Sequence, residues 1–285
     1  MNLLIIRKGC VEILHSKLVM NEIISVRNVK KEYRIHEKAE GIKNGIANFF
    51  HRKYIYKAAV KNVNFSIEEG QIVGLLGENG AGKTTMLKML TGILFPTEGE
   101  INVSGFTPTD RKKEFLKSIS FVMGNKAEVN WDLPAVDTFR YQQLVYEVPE
   151  NEFQLNLKMM SELLDVQNLL KVPIRHLSLG ERMKMELINN FIYSPRIVFL
   201  DEPTLGLDIK SQMAIREFIK AYRKEKNTTI IITSHYMDDI EETCDRVILL
   251  NKGEKIYDGN IGELKKPDLP FKNIILNLIK DEEKK

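Results

Sequence analysis

Eight consecutive residues, Gly77-Glu78-Asn79-Gly80-Ala81-Gly82-Lys83-Thr84, have the types and spacing needed to hold a polyphosphate. They fit G-x-x-x-x-G-K-[ST] between an apolar run at 71–76 and a helical pattern that starts near Lys83. That strand–loop–helix setting is the context in which the motif has physical meaning. Glycines let backbone N–H groups curl around phosphate oxygens without a Cβ in the way. The following helix presents roughly +0.5 charge at its N-terminus. Lys83 adds a full charge for the β- and γ-phosphates, Thr84 offers a hydroxyl to Mg²⁺, and Thr85 completes the loop.

A second group with chemistry in it is Ile197-Val198-Phe199-Leu200-Asp201-Glu202, an apolar strand that ends in two carboxylates. A buried strand has little reason to end so unless a cation or a reacting water lies beyond it. Asp201 suits the cation, and Glu202 suits orienting or deprotonating the water. The third group, Leu177-Ser178-Leu179-Gly180-Glu181, stands before an apolar-periodic helix with Met183, Leu187, Ile188 and Phe191. Ser178 with Glu181 three residues on reads as a capping box. It also reads as a second helix start directed at an anion, which one nucleotide bound to one molecule would not need.

The elements that must position these groups alternate between strands and helices. Strands are expected at 23–29, 60–67, 71–76, 119–122, 197–200, 229–233, 247–250 and 255–257, with helices near 83–90 and 211–224. Between them, 125–175 changes character: Pro134 and Pro149 punctuate two amphipathic helices, near 136–146 and 151–164, without a strand signal. The pattern implies an α/β fold of the P-loop NTPase type. Its core is a mainly parallel sheet with an antiparallel edge, and an α-helical subdomain is inserted at about 125–190. Ligands on such sheets bind at the carboxyl ends of strands, where the Gly77–Thr84 loop and the Asp201-Glu202 pair fall. Domain bounds are read as an N-terminal extension at 1–22 (with an alternative start at Met20), a main domain at 23–258, and a short charged tail at 259–285.

Composition narrows the classes. The chain has 285 residues, is 43% hydrophobic and 28% charged, and carries a formal net charge of +3, too small to favour a nucleic-acid partner. Its two cysteines, Cys10 and Cys244, form neither a disulfide framework nor a paired-cysteine metal site. No run approaches the ~20 apolar residues of a spanning helix. Any membrane work therefore needs a spanning partner.

With these motifs in order, the sequence resembles the ATP-binding cassette (ABC) ATPases over about residues 23–258. Residues 77–85 correspond to Walker A, 177–181 to the signature, and Leu200-Asp201-Glu202-Pro203 to Walker B. Leu205-Gly206-Leu207-Asp208 follows as the D-loop, and Thr233-Ser234-His235 as the switch histidine. The signature and Trp131-Asp132-Leu133-Pro134 resemble exporter-type ATPases near the daunorubicin-resistance branch.

The resemblance implies ATP and Mg²⁺, membrane-spanning permease subunits, and a place on the cytoplasmic side of the membrane. It also implies a head-to-tail dimer, homo- or heteromeric, in which each ATP lies between the 77–85 loop of one subunit and Ser178, Gly180 and Glu181 of the other. His235 would contact the γ-phosphate. Tyr33 is the expected adenine platform, with Tyr54 and Tyr56 as rivals. The sequence departs from the family at Asn125, which stands one methylene short of the usual Q-loop glutamine that touches Mg²⁺ or the attacking water. It departs again at Leu179 and Glu181, where the commonest signature has Gly and Gln. The mixed basic and aromatic segment 36–57 reads as a solvated insertion.

Overall fold

A computed structural model describes residues 22–36, 54–124, 128–266 and 268–283. The expected N-terminal extension up to residue 21, residues 37–53 of the expected insertion, and Asn125 lie outside them.

The chain opens with two long antiparallel strands, β1 (Glu22–His36) and β2 (Tyr54–Glu68), joined at the far edge of β1 by β4 (Glu98–Val103). The second sheet has the order β5-β6-β7-β3-β8-β9. It is made of β3 (Ile72–Gly77), β5 (Ile119–Met123), β6 (Ile197–Asp201), β7 (Thr229–Thr233), β8 (Arg246–Asn251) and β9 (Glu254–Asn260). Its first five strands are parallel, and β9 turns back antiparallel beside β8. The helices are α1 (Lys83–Leu90), α2 (Lys113–Ser118), α3 (Ala135–Val145), α4 (Glu150–Leu163), α5 (Leu179–Phe191), α6 (Ile209–Lys226), α7 (Met237–Thr243), α8 (Ile261–Leu264) and α9 (Phe271–Glu283).

The parallel strands read as unbroken apolar runs because both of their faces are covered. Period-two alternation divides them between two cores. Val73, Leu75, Ile197, Phe199, Ile231, Ile248 and Leu250 pack with α1 and the antiparallel sheet. Ile72, Leu76, Val198, Leu200, Ile230, Ile232, Val247 and Leu249 pack with α3 to α7 and the C-terminal helices.

Two stretches differ from the sequence reading. The β1–β2 ladder runs on to His36↔Tyr54, well past the last β4 pair at Lys30↔Glu98, so part of the expected insertion is a two-stranded ribbon. The stretch read as a charged tail contains α8 and α9, and Ile261, Leu264, Phe271, Ile274, Ile275 and Ile279 are built into the larger core. Their spacing along α9 is that of one apolar helix face. The charges at 280–285 masked it.

Candidate nucleotide site

The loop between β3 and α1 is shaped by backbone that side chains cannot follow. Gly77 has φ 152°, and a Cβ there would lie 2.3 Å from the Leu250 carbonyl oxygen. Gly82 has φ 106°, and its Cβ would lie 2.5 Å from the Ala59 carbonyl oxygen. Glycine is the residue for such positions. Helix α1 thus starts on a left-handed Gly82 with no side-chain cap, leaving first-turn N–H groups for a ligand. The buried Lys83 folds back so that its ammonium donates to the carbonyls of Gly77 (2.7 Å) and Glu78 (3.1 Å). Burial holds its pKa below the ordinary lysine value, and the charges of Glu202 and Asp201 oppose that shift.

The end of β6 meets this loop from the side. Thr84 Oγ1 donates to both Asp201 carboxylate oxygens, at 3.2 and 3.0 Å, and Thr233 Oγ1 donates to Asp201 Oδ1 at 2.7 Å. Glu202 has φ 58°, a conformation uncommon outside glycine and costly for an L residue. Its N–H is held by the Thr233 carbonyl and Oγ1, both at 3.1 Å. Its carboxylate reaches His235, with Nε2 2.7 Å from Oε1. A cleft of about 210 Å³ opens here between Thr84, Lys88, Met123, Gly124, Asp201, Glu202 and Leu205.

The histidine is supported from behind. Ser234 Oγ and Arg216 Nε donate to the buried Asp239 carboxylate at 2.7 and 2.9 Å, and the Thr204 hydroxyl bonds to it as well. Arg216 also pairs with Glu242 at 2.7 Å. Sequence reasoning missed Thr233 as a ligand of Asp201, and it missed the Asp239–Arg216 pair entirely. Thr233 was findable, because it ends a strand directly before Ser234-His235. The arginine comes from another element, and nothing local announces it.

Tyr33, on β1, has its hydroxyl 3.4 Å from Thr85 Oγ1 of α1 and its ring half-exposed under Lys31. Tyr54 and Tyr56 stand farther along the ribbon, paired with His36 and Arg34. Gln143, on α3, is engaged with Arg140, Glu150 and the Val148 carbonyl inside the helical subdomain.

The signature does not join this cluster. Among the described residues no hydrogen bond or ion pair links Ser178, Gly180 or Glu181 to the cradle. Ser178 caps α5 in a complete box, its Oγ accepting from Glu181 N (3.3 Å) and its N–H donating to Glu181 Oε2 (2.8 Å). The Ser178 N–H and hydroxyl, both donating to Glu181 Oε2, hold the Glu181 carboxyl below the usual range, so it is charged at neutral pH. Gly180 instead faces the D-loop, where a Cβ would lie 2.2 Å from Ser211 Oγ and 3.3 Å from Asp208 Oδ2. Asp208 caps α6 through the Ser211 N–H at 2.9 Å.

A family model described as ABC transporter matches residues 60–205, which hold the cradle, the signature and the acidic strand end. The chain belongs to that family. The ABC transporter ATP-binding protein NatA of Bacillus subtilis (strain 168) is 35% identical over 216 residues, 76% of this chain and 87% of that protein. A solved structure of the ATP-binding subunit of an ABC transporter superposes with a TM-score of 0.73 at 20% identity, covering 90% of this chain and 99% of that one. A dimeric post-hydrolysis structure of the ATP-binding cassette MJ0796 with ADP and Pi gives 0.67 at 23% identity, covering 84% and 98%. These two likenesses concern the fold. The cassette is the ATP-binding, ATP-hydrolysing subunit of a transporter that works through membrane permease subunits. Among its described residues, no helix is long and apolar enough to cross a membrane.

Proposed function

We propose that the cluster at the ends of β3, β6 and β7 is the hydrolytic site, with each side chain in a stated role. The first-turn amides of α1, with Lys83, bind the β- and γ-phosphates of ATP. Binding draws the Lys83 ammonium from the Gly77 and Glu78 carbonyls onto phosphate, a stronger charge-assisted contact. Thr84 and Asp201 bring only hydroxyl and carboxylate oxygens, too few for a protein cage, so they suit a Mg²⁺ ion that arrives with the nucleotide. When bound, that ion neutralises charge on the phosphates. Asn125 stands at the family position that completes this shell.

Glu202 accepts the proton of, or orients, the attacking water. His235 holds the Glu202 carboxylate and reaches for the γ-phosphate. Tyr33 stacks on the base, and Ser178 and Gly180 serve the ATP of a second subunit in a head-to-tail dimer. ATP held by both subunits favours closure by mass action, and cleavage reopens it. The subunit sits peripherally on the cytoplasmic face of the membrane and drives export. The signature and Trp131-Asp132-Leu133-Pro134 support that direction.

The observation that carries these roles is the meeting at one sheet edge of two bonded pairs, Thr84 with Asp201 and Glu202 with His235. Glu202→Gln tests it. Turnover should fall by about 10²–10⁴-fold, the usual contribution of a positioned base, while ATP stays bound and an ATP-held dimer accumulates. Hydrolysis at the wild-type rate removes Glu202 from the role. Reconstitution with the permease, ATPase subunits outward, reads direction: ATP-dependent loading of the lumen is export, and emptying is import.

A further inference from the structure

We infer that Glu186 is a positioning residue for ATP hydrolysis, fastening the chain that leaves β5 to the helix that begins at Ser178. The inference rests on the roles proposed above for Asp201, Glu202 and Ser178.

Glu186 sits mid-helix on α5, only 5% exposed, among Met183, Leu187 and Phe191 of the core. A carboxylate in such surroundings is costly unless it is bonded. Here one oxygen, Oε1, accepts the backbone N–H groups of Glu128 (2.8 Å) and Val129 (3.1 Å). Those donors belong to no helix or strand, so the carboxylate satisfies the buried amide of Val129 and the partly buried amide of Glu128. One turn on, Asn190 closes the net. Its Nδ2 donates to Glu128 Oε2 (3.0 Å) and to the Glu186 carbonyl (3.1 Å), and its Oδ1 accepts from Ser120 Oγ (2.9 Å) on β5.

The other end of the same connection is tied to the acidic strand. Gly124 N–H donates to the Asp201 carbonyl at 2.9 Å, and a Cβ on Gly124 would lie 2.3 Å from the Glu202 carbonyl oxygen. Gly124 and Met123 also line the cleft that Thr84, Asp201 and Glu202 share. The connection between β5 and α3 is therefore pinned by Asp201 at its start and by Glu186 after it. A displacement of α5, whose first residues serve the partner's ATP, is passed to β5, which ends at the cleft, through the Asn190–Ser120 bond, and to residues 128–129 through the Glu186 bonds. A buried hydrogen-bond net of this kind transmits position because each member has one bonded arrangement.

The test compares the purified full-length chain with Glu186→Leu, Glu186→Gln and Asn190→Ala. Urea midpoints give the folded fraction, and a fluorescent ATP analogue gives binding. Leucine keeps the volume and loses both bonds, so kcat should fall tenfold or more while KM for ATP and analogue affinity change less than threefold. Glutamine offers the same acceptor oxygen and should recover most of the rate. Asn190→Ala should lower kcat about threefold, and it carries the test if the leucine variant does not fold. The inference is overturned if Glu186→Leu turns over like wild type, if its loss only tracks the unfolded fraction, or if Glu186→Gln is as slow as the leucine variant. With leucine unfolded, an unslowed Asn190→Ala overturns it. Glu202→Gln run alongside separates the two readings. If it is active while Glu186→Leu is slow, the role of Glu202 falls and that of Glu186 stands.

Discussion

Helix α1 follows a glycine-rich loop and α5 carries a glycine in its first turn, and the two starts are furnished in opposite ways. Helix α1 starts on the left-handed Gly82 without a side-chain cap, and its lysine rests on two loop carbonyls. Helix α5 starts on Ser178 with a full capping box, and its charge, Glu181, is negative. The uncapped end is ready for an anion, with Thr84, Asp201, Glu202 and His235 already gathered beside it. The capped end is satisfied by its own residues, and its glycine faces the D-loop. On the roles proposed above, the uncapped end is one subunit's phosphate site and the capped end serves the ATP of a second subunit.

Breaking each end should separate binding from closure. Lys83→Ala removes charge-assisted bonds that contribute about 1.5–3 kcal/mol, so ATP affinity of the single subunit should drop roughly 10- to 100-fold. Ser178→Ala should leave that affinity nearly unchanged in a titration but prevent the ATP-held dimer by size-exclusion chromatography. Loss of affinity in both variants would mean that the two ends act on one molecule's ATP.

The interiors of the two helices sharpen the contrast. Burial pushes the Glu186 carboxyl up to about 7 against the pull of two N–H donors, with Glu128 adding like charge. The folded state thus binds a proton that the unfolded chain, near 4.5, has released. Stability from this group is therefore full below pH 4.5 and is lost as pH rises through 7, on the order of 3 kcal/mol. Urea midpoints at pH 5 and pH 8 should show that loss in the wild type and lack it in Glu186→Gln.

Caps should differ in the same sense. Gly82→Ala meets both the left-handed strain and the Ala59 carbonyl and should cost about 2 kcal/mol. Ser178→Ala removes a cap and should cost about 1 kcal/mol in the same melts. Equal costs would argue that α1's start is not strained.

The smallest effect concerns Glu181, which puts a charge where the commonest family signature has glutamine. If the α5 start receives the γ-phosphate of the other subunit, Glu181→Gln relieves repulsion and should tighten the ATP-dependent dimer a few-fold, under ~1 kcal/mol. Weaker dimerisation would place the phosphate elsewhere.

Much of the site was legible because its signals are local. A Gly-rich loop, an apolar strand ending Asp201-Glu202, and a strand-end His235 each declare themselves in a few consecutive residues. The strands at 72–77, 197–201 and 229–233 declared themselves too, because burial on both faces leaves no polar alternation. The C-terminal helix α9 was hidden, since its apolar face is short and followed by charge. The ribbon beyond Lys30 was hidden as well, since pairing between 32–36 and 54–58 spans residues far apart in sequence.

What the amino-acid order determined alone was the chemistry on offer and the elements that carry it, because loop glycines, strand runs and caps act within a few residues. Only the tertiary structure decided that Thr233 and Thr84 share one carboxylate, that Arg216 supports the histidine loop through Asp239, and that Glu186 ties the chain at 128–129 to the signature helix. Those bonds join residues separated by tens of positions. Their partners are chosen by how the layers pack, and no local pattern encodes that choice.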